Sequence, residues 1–304
     1  MTTFARPLTT QGYEIDQAPE AFGFLRSSMD VVDDGAALRE RMLADGYLYL
    51  PGYLNRAEVL SVRSGLLARV QEAGGLEPGT PTEAAVARRD RGSYFMPELA
   101  DNNPALLRLL YEGRMMAFYT LLLGGEVRHF DFTWMRAVTP GQGTAPHCDI
   151  VYMGRGTTNL FTAWTPLGDV PLDVGGLMVL ENSHKNDRLR ETYGRKDADE
   201  YCANRVETPA EGASSAIGGA GAITFNPVRL RERLGGRWLT GDFRAGDLLT
   251  FSMYTVHCSL DNHSDQIRLS SDTRYQLASE PADERWVGEK PMGHSLAAKR
   301  GKIC

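Results

Sequence analysis

From residue 127 onward the chain is a series of short β-like segments separated by turn residues. The segments are VRHFDFTWMRAV, PHCDIVYM, TNLFTAWTPL, GGLMVLE, AITF, GDLLTFSMY and RLSSDTRYQL. Gly, Pro, Asn and Asp punctuate the intervals, and many short strands with this punctuation are typical of β-sandwiches and jelly rolls. This pattern predicts a mainly β core.

The first 126 residues predict helices that flank this core. A helix over 34–46 ends at Gly46, because glycine suits the position after a helix C-terminus. A second helix follows Asn55, which has the side chain of an N-cap residue. A third begins at Asn103-Pro104, an N-cap followed by proline. Four positions of this third helix are apolar and predict a face packed on a sheet, namely Leu106, Leu107, Leu110 and Phe118.

One long interruption separates the β segments between His184 and about Trp238. It contains EGASSAIGGAGA, a run of small residues without periodicity. Long loops in otherwise compact domains often cover functional sites. We therefore predict one domain over 1–304, with a helical part at 1–126, a β core at 127–280 and a lid insertion at 185–240.

Charge and composition narrow the classes of partner. The net charge is −6, which disfavours nucleic-acid and anionic membrane surfaces as partners. No run of about 18 apolar residues predicts a membrane span, and the opening MTTFARPLTT lacks the apolar region of a secretory signal. The four cysteines form no C-x-x-C pair, so the sequence predicts a reduced, cytoplasmic chain.

A possible metal site begins in TAPHCDIVY, residues 144–152. His147 and Asp149 are two residues apart in a predicted strand, so their side chains would point to the same face. His257 supplies a third ligand from a segment near the end of the β region. Strands distant in sequence lie side by side in a jelly roll, so the separation of these ligands does not argue against a shared ion.

Two histidines and one carboxylate form the facial triad that suits non-haem Fe(II). Such a triad leaves three coordination positions open, two for a chelating keto acid and one for dioxygen. Arg268 lies on the predicted next strand and offers a planar fork for the far carboxylate of the keto acid. Ser259 shares the strand face of His257, so its hydroxyl would reach the same carboxylate.

The segment HCSLDNHSDQIR resembles the distal motif of the phytanoyl-CoA dioxygenase family, roughly H-x-S-x-x-N-x-S-x-x-x-R. The chain matches it at His257, Ser259, Asn262, Ser264 and Arg268. The H-x-D pair at 147–149, AWTPL and GGLMVLENSHK also resemble segments of that family, although Glu181-Asn182 replaces the usual Pro-Gly. The resemblance extends from about 36 to 277.

This resemblance implies a double-stranded β-helix, a cupin-like jelly roll, that uses Fe(II), 2-oxoglutarate and O2. The implied reaction hydroxylates an unactivated C–H bond of a small-molecule or acyl substrate and releases succinate and CO2. The resemblance also implies that Trp164 and Met135 lie beside the 2-oxoglutarate. Because the Asp149 carboxylate is present, we predict hydroxylation or a related oxidation, and not halogenation. The family covers several substrate classes, so the substrate stays open, as does the oligomeric state.

Other residues admit alternative interpretations. His129 and Asp131 form a second H-x-D, and we predict an ordinary strand there. His263 is predicted to lie in a surface turn, and His184 in a structural one. Arg136 is either a contact to a substrate anion or a solvated side chain. For the whole chain, the alternative is a non-oxidative metal-binding jelly-roll protein or enzyme, and such a site would not need Arg268.

Overall fold

The computed structural model describes residues 7–92, 95–204 and 221–304. It contains two β-sheets that share an apolar inner core, with contributions from Trp164 and Leu249 of one sheet and Val179 and Leu239 of the other. The fold is therefore mainly β with flanking helices, as the sequence predicted. In the described part of the chain the two sheets keep separate hydrogen-bonded ladders, so this jelly roll is an open sandwich and not a closed barrel.

The strands are short, and most of them are antiparallel to their neighbours. They are β1 Thr9–Thr10, β2 Tyr13–Glu14, β3 Phe22–Phe24, β4 Tyr47–Leu50, β5 Val127–His129, β6 Trp134–Val138, β7 Phe161–Pro166, β8 Leu177–Leu180, β9 Glu200–Cys202, β10 Trp238–Thr240, β11 Leu248–Ser252, β12 His257–Ser259, β13 Arg268–Leu277 and β14 Arg300–Lys302. The larger sheet has the order β4-β11-β7-β13-β5, and β6 also pairs with β13. The smaller sheet has the order β12-β8-β10-β3, in which β3 and β10 are parallel.

The helices are α1 Gly35–Asp45, α2 Arg56–Glu72, α3 Pro104–Tyr111, α4 Gly113–Leu123, α5 Ile150–Met153, α6 Asp187–Glu191 and α7 Pro227–Leu234. Local capping explains where the first two begin and end. The Asp34 and Asn55 carboxylate and amide oxygens accept backbone N–H groups of the first turns of α1 and α2. Gly46 ends α1 with a φ of 79°. Among the described residues, no helix combines the length and the apolar character that a bilayer crossing requires.

The predicted third helix is in fact two helices. Asn103 caps α3 through the Leu106 N–H group, as predicted, but Glu112 is extended and Gly113 has a φ of 54°. The chain therefore bends between α3 and α4. Leu106 and Phe118 are buried against the larger sheet, whereas Leu107 is exposed.

Alternation along β13 divides its residues between the helices and the sheet interior. Leu269 and Tyr275 belong to the core between the larger sheet and the helices, which we call the helix-side core. Residues at even positions, from Arg268 to Gln276, therefore face inward toward the smaller sheet. This inner face is strongly polar, although its residues are buried.

The insertion predicted over 185–240 is partly regular. It contains α6, β9 and α7, and residues 205–220, which include most of the glycine-rich run, lie outside the described residues. The predicted strand AITF is wrong, since 222–225 form a bend in which the Ile223 N–H group donates to the Pro146 carbonyl at 2.9 Å.

The prediction of a fully reduced chain is also wrong. Cys202 and Cys304 form a disulfide across β9 and β14, which pair in parallel. Their spacing in sequence gave no sign of this pairing. Cys148 and Cys258 are free thiols buried in a third apolar cluster outside the smaller sheet.

Candidate metal centre

The two predicted histidine ligands face each other across one antiparallel bridge. The His147 N–H group donates to the His257 carbonyl and the His257 N–H group to the His147 carbonyl, both at 3.0 Å. Directly opposed residues in such a pair project their side chains from the same side of the sheet. The centroids of the two rings are 4.2 Å apart. A single bridge therefore joins two segments that are far apart in sequence.

The side chain of Asp149 lies at the same point, but its backbone does not have the predicted strand conformation. The segment does not continue as a strand, because Asp149 has helical angles (φ −67°, ψ −23°) and immediately precedes α5. Its Oδ1 atom lies 3.8 Å from His147 Nε2 and 3.7 Å from His257 Nε2. The strand over 146–153 was thus a wrong prediction, whereas the predicted convergence of the three side chains is present. Their ligand atoms lie within 4.8 Å of one another.

Backbone carbonyls fix the orientation of both imidazoles. His147 Nδ1 lies 2.8 Å from the Ala145 carbonyl oxygen, and His257 Nδ1 lies 3.0 Å from that of Thr255. A carbonyl only accepts hydrogen bonds, so each Nδ1 carries the proton. Each Nε2 atom is therefore unprotonated, and its lone pair is available on the side of Asp149. This is the tautomer that a metal bound at Nε2 requires.

The two oxygens of Asp149 have different partners. Oδ2 accepts a hydrogen bond from the Thr162 hydroxyl and another, of 3.1 Å, from Arg274 Nη2. Oδ1 faces the two Nε2 atoms. The carboxylate is thus held from one side and presents a single oxygen to the histidines.

Electrostatics favours the protonation states that metal binding needs. Burial, reinforced by His257, lowers the pKa of His147 to about 3, and burial lowers the pKa of His257 as well. Burial alone would raise the pKa of Asp149, but Arg274, the two histidines and Thr162 hold it well below its usual value. Two neutral imidazoles and one ionised carboxylate therefore meet at pH 7.

This donor set fits a divalent transition metal. Bonds of about 2.1 Å place neighbouring ligand atoms of a facial triad about 3.0 Å apart. Asp149 Oδ1 lies 3.8 Å and 3.7 Å from the two nitrogens, so shifts of less than about 1 Å would bring these atoms onto one ion. Two histidines and one carboxylate are the donors of non-haem Fe(II) sites. Among the described residues, no other group of three His, Cys, Asp or Glu side chains converges in this way.

Arg268 is the first residue of β13 and points to the inner face. It is 1% exposed, and its Nη1 donates to the Gly175 carbonyl. Gly175 has a φ of +84°, and a Cβ there would lie 2.6 Å from the Leu260 carbonyl oxygen. This glycine lets the loop that holds Arg268 approach the end of β12, where Ser259 lies. Ser259 Oγ accepts the Thr144 N–H group at 2.8 Å.

Two more buried donors share this inner face. Trp164 lies opposite Asp272 of β13, and its Nε1 finds no hydrogen-bond partner among the described residues. The Ser270 hydroxyl, two residues after Arg268, also finds none there. Buried polar groups are normally hydrogen-bonded, so the Trp164 and Ser270 donors suit a site in which they donate to the oxygen atoms of an acidic ligand. Ser270 was not predicted, although its alternation with Arg268 would have identified it.

Met135 does not lie with these residues. It belongs to the helix-side core, because β6 directs Met135 and Ala137 to the helices and Arg136 to the interior. The structure therefore does not bring Met135 to the inner face where 2-oxoglutarate was predicted. Arg136 is not a solvated side chain, since its Nε donates to Asp272 Oδ2 at 2.6 Å.

The three other histidines discussed from the sequence lie elsewhere in the fold. His129 stacks on Tyr111 with ring centroids 4.1 Å apart. His263 Nε2 lies 2.8 Å from Thr9 Oγ1, and His184 Nε2 lies 3.1 Å from the Leu43 carbonyl oxygen. None of them joins the cluster of three ligands described above.

The chain matches a known protein family over most of its length. Residues 43–270 match the family model described as phytanoyl-CoA dioxygenase (PhyH). The chain is 26% identical to the 1-deoxypentalenic acid 11-beta-hydroxylase of Streptomyces exfoliatus over 266 residues, which cover 82% of this chain and 83% of that protein.

Two solved structures share the fold. The epimerase SnoN from nogalamycin biosynthesis, in complex with Fe3+, α-ketoglutarate and nogalamycin RO, superposes with a TM-score of 0.55 at 22% identity, over 89% of this chain and 94% of SnoN. EctD from S. alaskensis in its apo form has a TM-score of 0.57 at 16% identity, over 97% and 98% of the two chains. The family match spans most of the chain, and we conclude that this protein belongs to the phytanoyl-CoA dioxygenase family of iron(II)- and 2-oxoglutarate-dependent oxygenases.

Proposed function

We propose that His147, Asp149 and His257 bind the ferrous ion of this dioxygenase and that Arg268 binds the distal carboxylate of 2-oxoglutarate. The observation that carries the proposal is the meeting of both Nε2 atoms with Asp149 Oδ1 in a buried site. A buried guanidinium at the start of β13 is what a 2-oxoglutarate site needs and a non-oxidative metal site does not.

When bound, the iron with 2-oxoglutarate and O2 supplies an oxidant for unactivated C–H bonds, and one oxygen atom enters the substrate while the other enters succinate as CO2 leaves. The side chains of this protein contribute geometry and an enclosed environment. Arg268 orients the keto acid, and Ser259, Ser270 and Trp164 donate hydrogen bonds around its carboxylate. The buried histidines remain neutral and keep their Nε2 atoms directed at the metal.

We propose hydroxylation as the outcome, because Asp149 is a carboxylate ligand. An iron-dependent halogenase needs a coordination position for chloride at this point, and in this protein the Asp149 carboxylate occupies it. The hydroxylase among the relatives supports the same outcome.

The substrate, in our proposal, is a small molecule with an apolar, ring-containing framework. Aromatic side chains adjoin the triad: Trp134 lies under Arg274, and the Trp134 and Trp286 ring centroids are 4.7 Å apart. Trp286 Nε1 donates to the carbonyl of Tyr152, whose ring centroid is 5.6 Å from that of His147. Two of the proteins named above support this substrate class, since one is a hydroxylase of 1-deoxypentalenic acid and the other is seen in complex with nogalamycin RO.

We further propose that residues 1–304 form one oxygenase domain, with the insertion over 185–240 as part of it. Strands β3 and β4 of the N-terminal part pair with β10 and β11, so the helical part also contributes to both sheets. We propose the cytoplasm as the location, because 2-oxoglutarate is a metabolite of that compartment.

The test adds Fe(II) and 2-oxoglutarate to the metal-free protein without oxygen. We expect the visible charge-transfer band of the chelate, and succinate once oxygen is admitted. His257→Ala should lose both signals, whereas His263→Ala, at a histidine outside the site, should keep both. A wild-type protein that gives neither band nor succinate would contradict the proposal and favour a non-oxidative metal-binding protein.

A further inference from the structure

Arg274 is a buried cation that neither the family motif nor the metal ligands account for. It lies on the inner face of β13, six residues after Arg268, and its side chain is 3% exposed. Its Nη2 donates to Asp149 Oδ2 at 3.1 Å, and its Nε lies 3.2 Å from Met153 Sδ. Its guanidinium carbon lies 4.5 Å from the ring centroid of Trp134. Contacts on these sides fix the guanidinium beside one oxygen of Asp149.

Thr162 holds the same oxygen from the neighbouring strand. Its hydroxyl donates to Asp149 Oδ2, and the side chain is fully buried on β7. Asp149 lies just before α5, so the donors on β7 and β13 come from a different part of the fold. Rotation of the carboxylate would break both hydrogen bonds in a place where water does not replace them.

A carboxylate binds a metal through one oxygen or through both. Binding through both oxygens would occupy a fourth coordination position of a six-coordinate ion. The three positions left by the facial triad are all needed, two for the keto acid and one for O2. The orientation of Asp149 therefore determines whether 2-oxoglutarate and O2 have room to bind.

We infer that Arg274 and Thr162 are positioning residues that keep Asp149 Oδ2 away from the metal and so hold this ligand monodentate. The inference rests on the metal site proposed above. Arg274 also balances the charge of Asp149 in this buried region.

The test uses Co2+ as the metal probe, because its visible absorption reports coordination number and needs no turnover. Thr162→Val keeps the volume of the side chain and removes the donor, and Arg274→Met removes the guanidinium. We expect both proteins to bind Co2+ and to show the same change in the Co2+ spectrum without 2-oxoglutarate, because Asp149 Oδ2 then takes a coordination position that water holds in the wild type. We also expect 2-oxoglutarate affinity to fall about tenfold or more, and Arg274→Lys to restore part of it.

Two matched controls separate this effect from a loss of packing. Thr165→Val changes another buried threonine of β7, and Arg63→Met changes a half-buried arginine of α2 that binds the Leu167 carbonyl. Both should keep the wild-type spectrum and 2-oxoglutarate affinity.

The possible results distinguish the two proposals. Thr162→Val and Arg274→Met proteins with the wild-type Co2+ spectrum and 2-oxoglutarate affinity would overturn the positioning role and leave the metal site intact. If Arg274→Met does not fold, the isosteric Thr162→Val decides the question by itself. If the His257→Ala protein gives the same Co2+ spectrum as the wild type, the proposed metal site is wrong, and the positioning role is overturned with it.

Discussion

Replacing Arg268 by methionine should remove the preference of the site for a keto acid with two carboxylates. Arg268 is buried, and its bond to the Gly175 carbonyl fixes the guanidinium in advance. A side chain already held in this way binds a carboxylate without a further loss of conformational freedom.

The magnitude follows from the kind of bond that is lost. A hydrogen bond to a charged group contributes about 1.5–3 kcal/mol, and a guanidinium binds a carboxylate through two of them. The lower value gives about 3 kcal/mol for the pair, which is on the order of 100-fold in affinity. 2-Oxobutanoate lacks the distal carboxylate, so the wild type should bind it more weakly than 2-oxoglutarate by that factor.

Anaerobic titration of the Fe(II) protein measures both affinities through the charge-transfer band. We expect Arg268→Met to weaken 2-oxoglutarate binding to the level of 2-oxobutanoate and to leave 2-oxobutanoate binding nearly unchanged. Arg63→Met, outside the site, should keep the wild-type ratio of affinities. An Arg268→Met protein that still prefers 2-oxoglutarate by the wild-type ratio would refute the assigned role of Arg268.

Three further predictions concern other parts of the molecule. In the metal-free protein, burial lowers the pKa of His147 to about 3 from a usual value of about 6.5. The unfolded chain therefore binds a proton that the native chain does not, so stability should fall by about 2 kcal/mol between pH 7 and pH 5. In urea unfolding with EDTA, the free energy of unfolding of His147→Gln should change less with pH than that of the wild type, by that amount. An equal change in both proteins would contradict the lowered pKa of His147. Asp149→Gly leaves the Thr162 hydroxyl and the Arg274 guanidinium facing a vacated position, so chloride should shift its Fe(II)–2-oxoglutarate band and should not shift that of the wild type. The disulfide between Cys202 and Cys304 spans a separation of 102 residues, so a reductant should lower the free energy of unfolding, by up to about 4.7 kcal/mol in the chain-entropy model. The free energy of unfolding of Cys304→Ser should not change with the reductant. A wild type whose free energy of unfolding is also unchanged would count against the disulfide.

Features determined by local interactions could be predicted from the sequence. The cap at Asn55 depends on a side chain within a few residues of the backbone groups it satisfies, and the helix end at Gly46 depends on the glycine itself. The strand RLSSDTRYQL matches β13 residue for residue. Its alternation also predicts that Arg268 and Arg274 share a face.

The short-range pattern failed where a distant contact determines the backbone. The segment 146–153 alternates like a strand, but His147 pairs with only one residue before the chain turns into α5. The length of this ladder depends on β12, more than 100 residues away. The predicted convergence of His147 and Asp149 is therefore present, although the strand from which it was predicted is not.

Other site features depend on which layer packs against a strand. Met135 faces the helices and Arg136 the interior because helices cover one side of the larger sheet. The role of Arg274 depends on Asp149, which lies 125 residues earlier. Neither the face of Met135 nor the partner of Arg274 is encoded in the neighbouring residues, and the same is true of the pairing of Cys202 with Cys304.

X-ray diffraction from crystals grown anaerobically with Fe(II) and 2-oxoglutarate, recorded at the iron absorption edge, tests the account most directly. We predict one anomalous peak about 2.1 Å from Nε2 of His147, Nε2 of His257 and Oδ1 of Asp149, with the distal carboxylate of 2-oxoglutarate on the Arg268 guanidinium. An iron peak bound by other side chains, or a keto acid whose distal carboxylate lies away from Arg268, would contradict it.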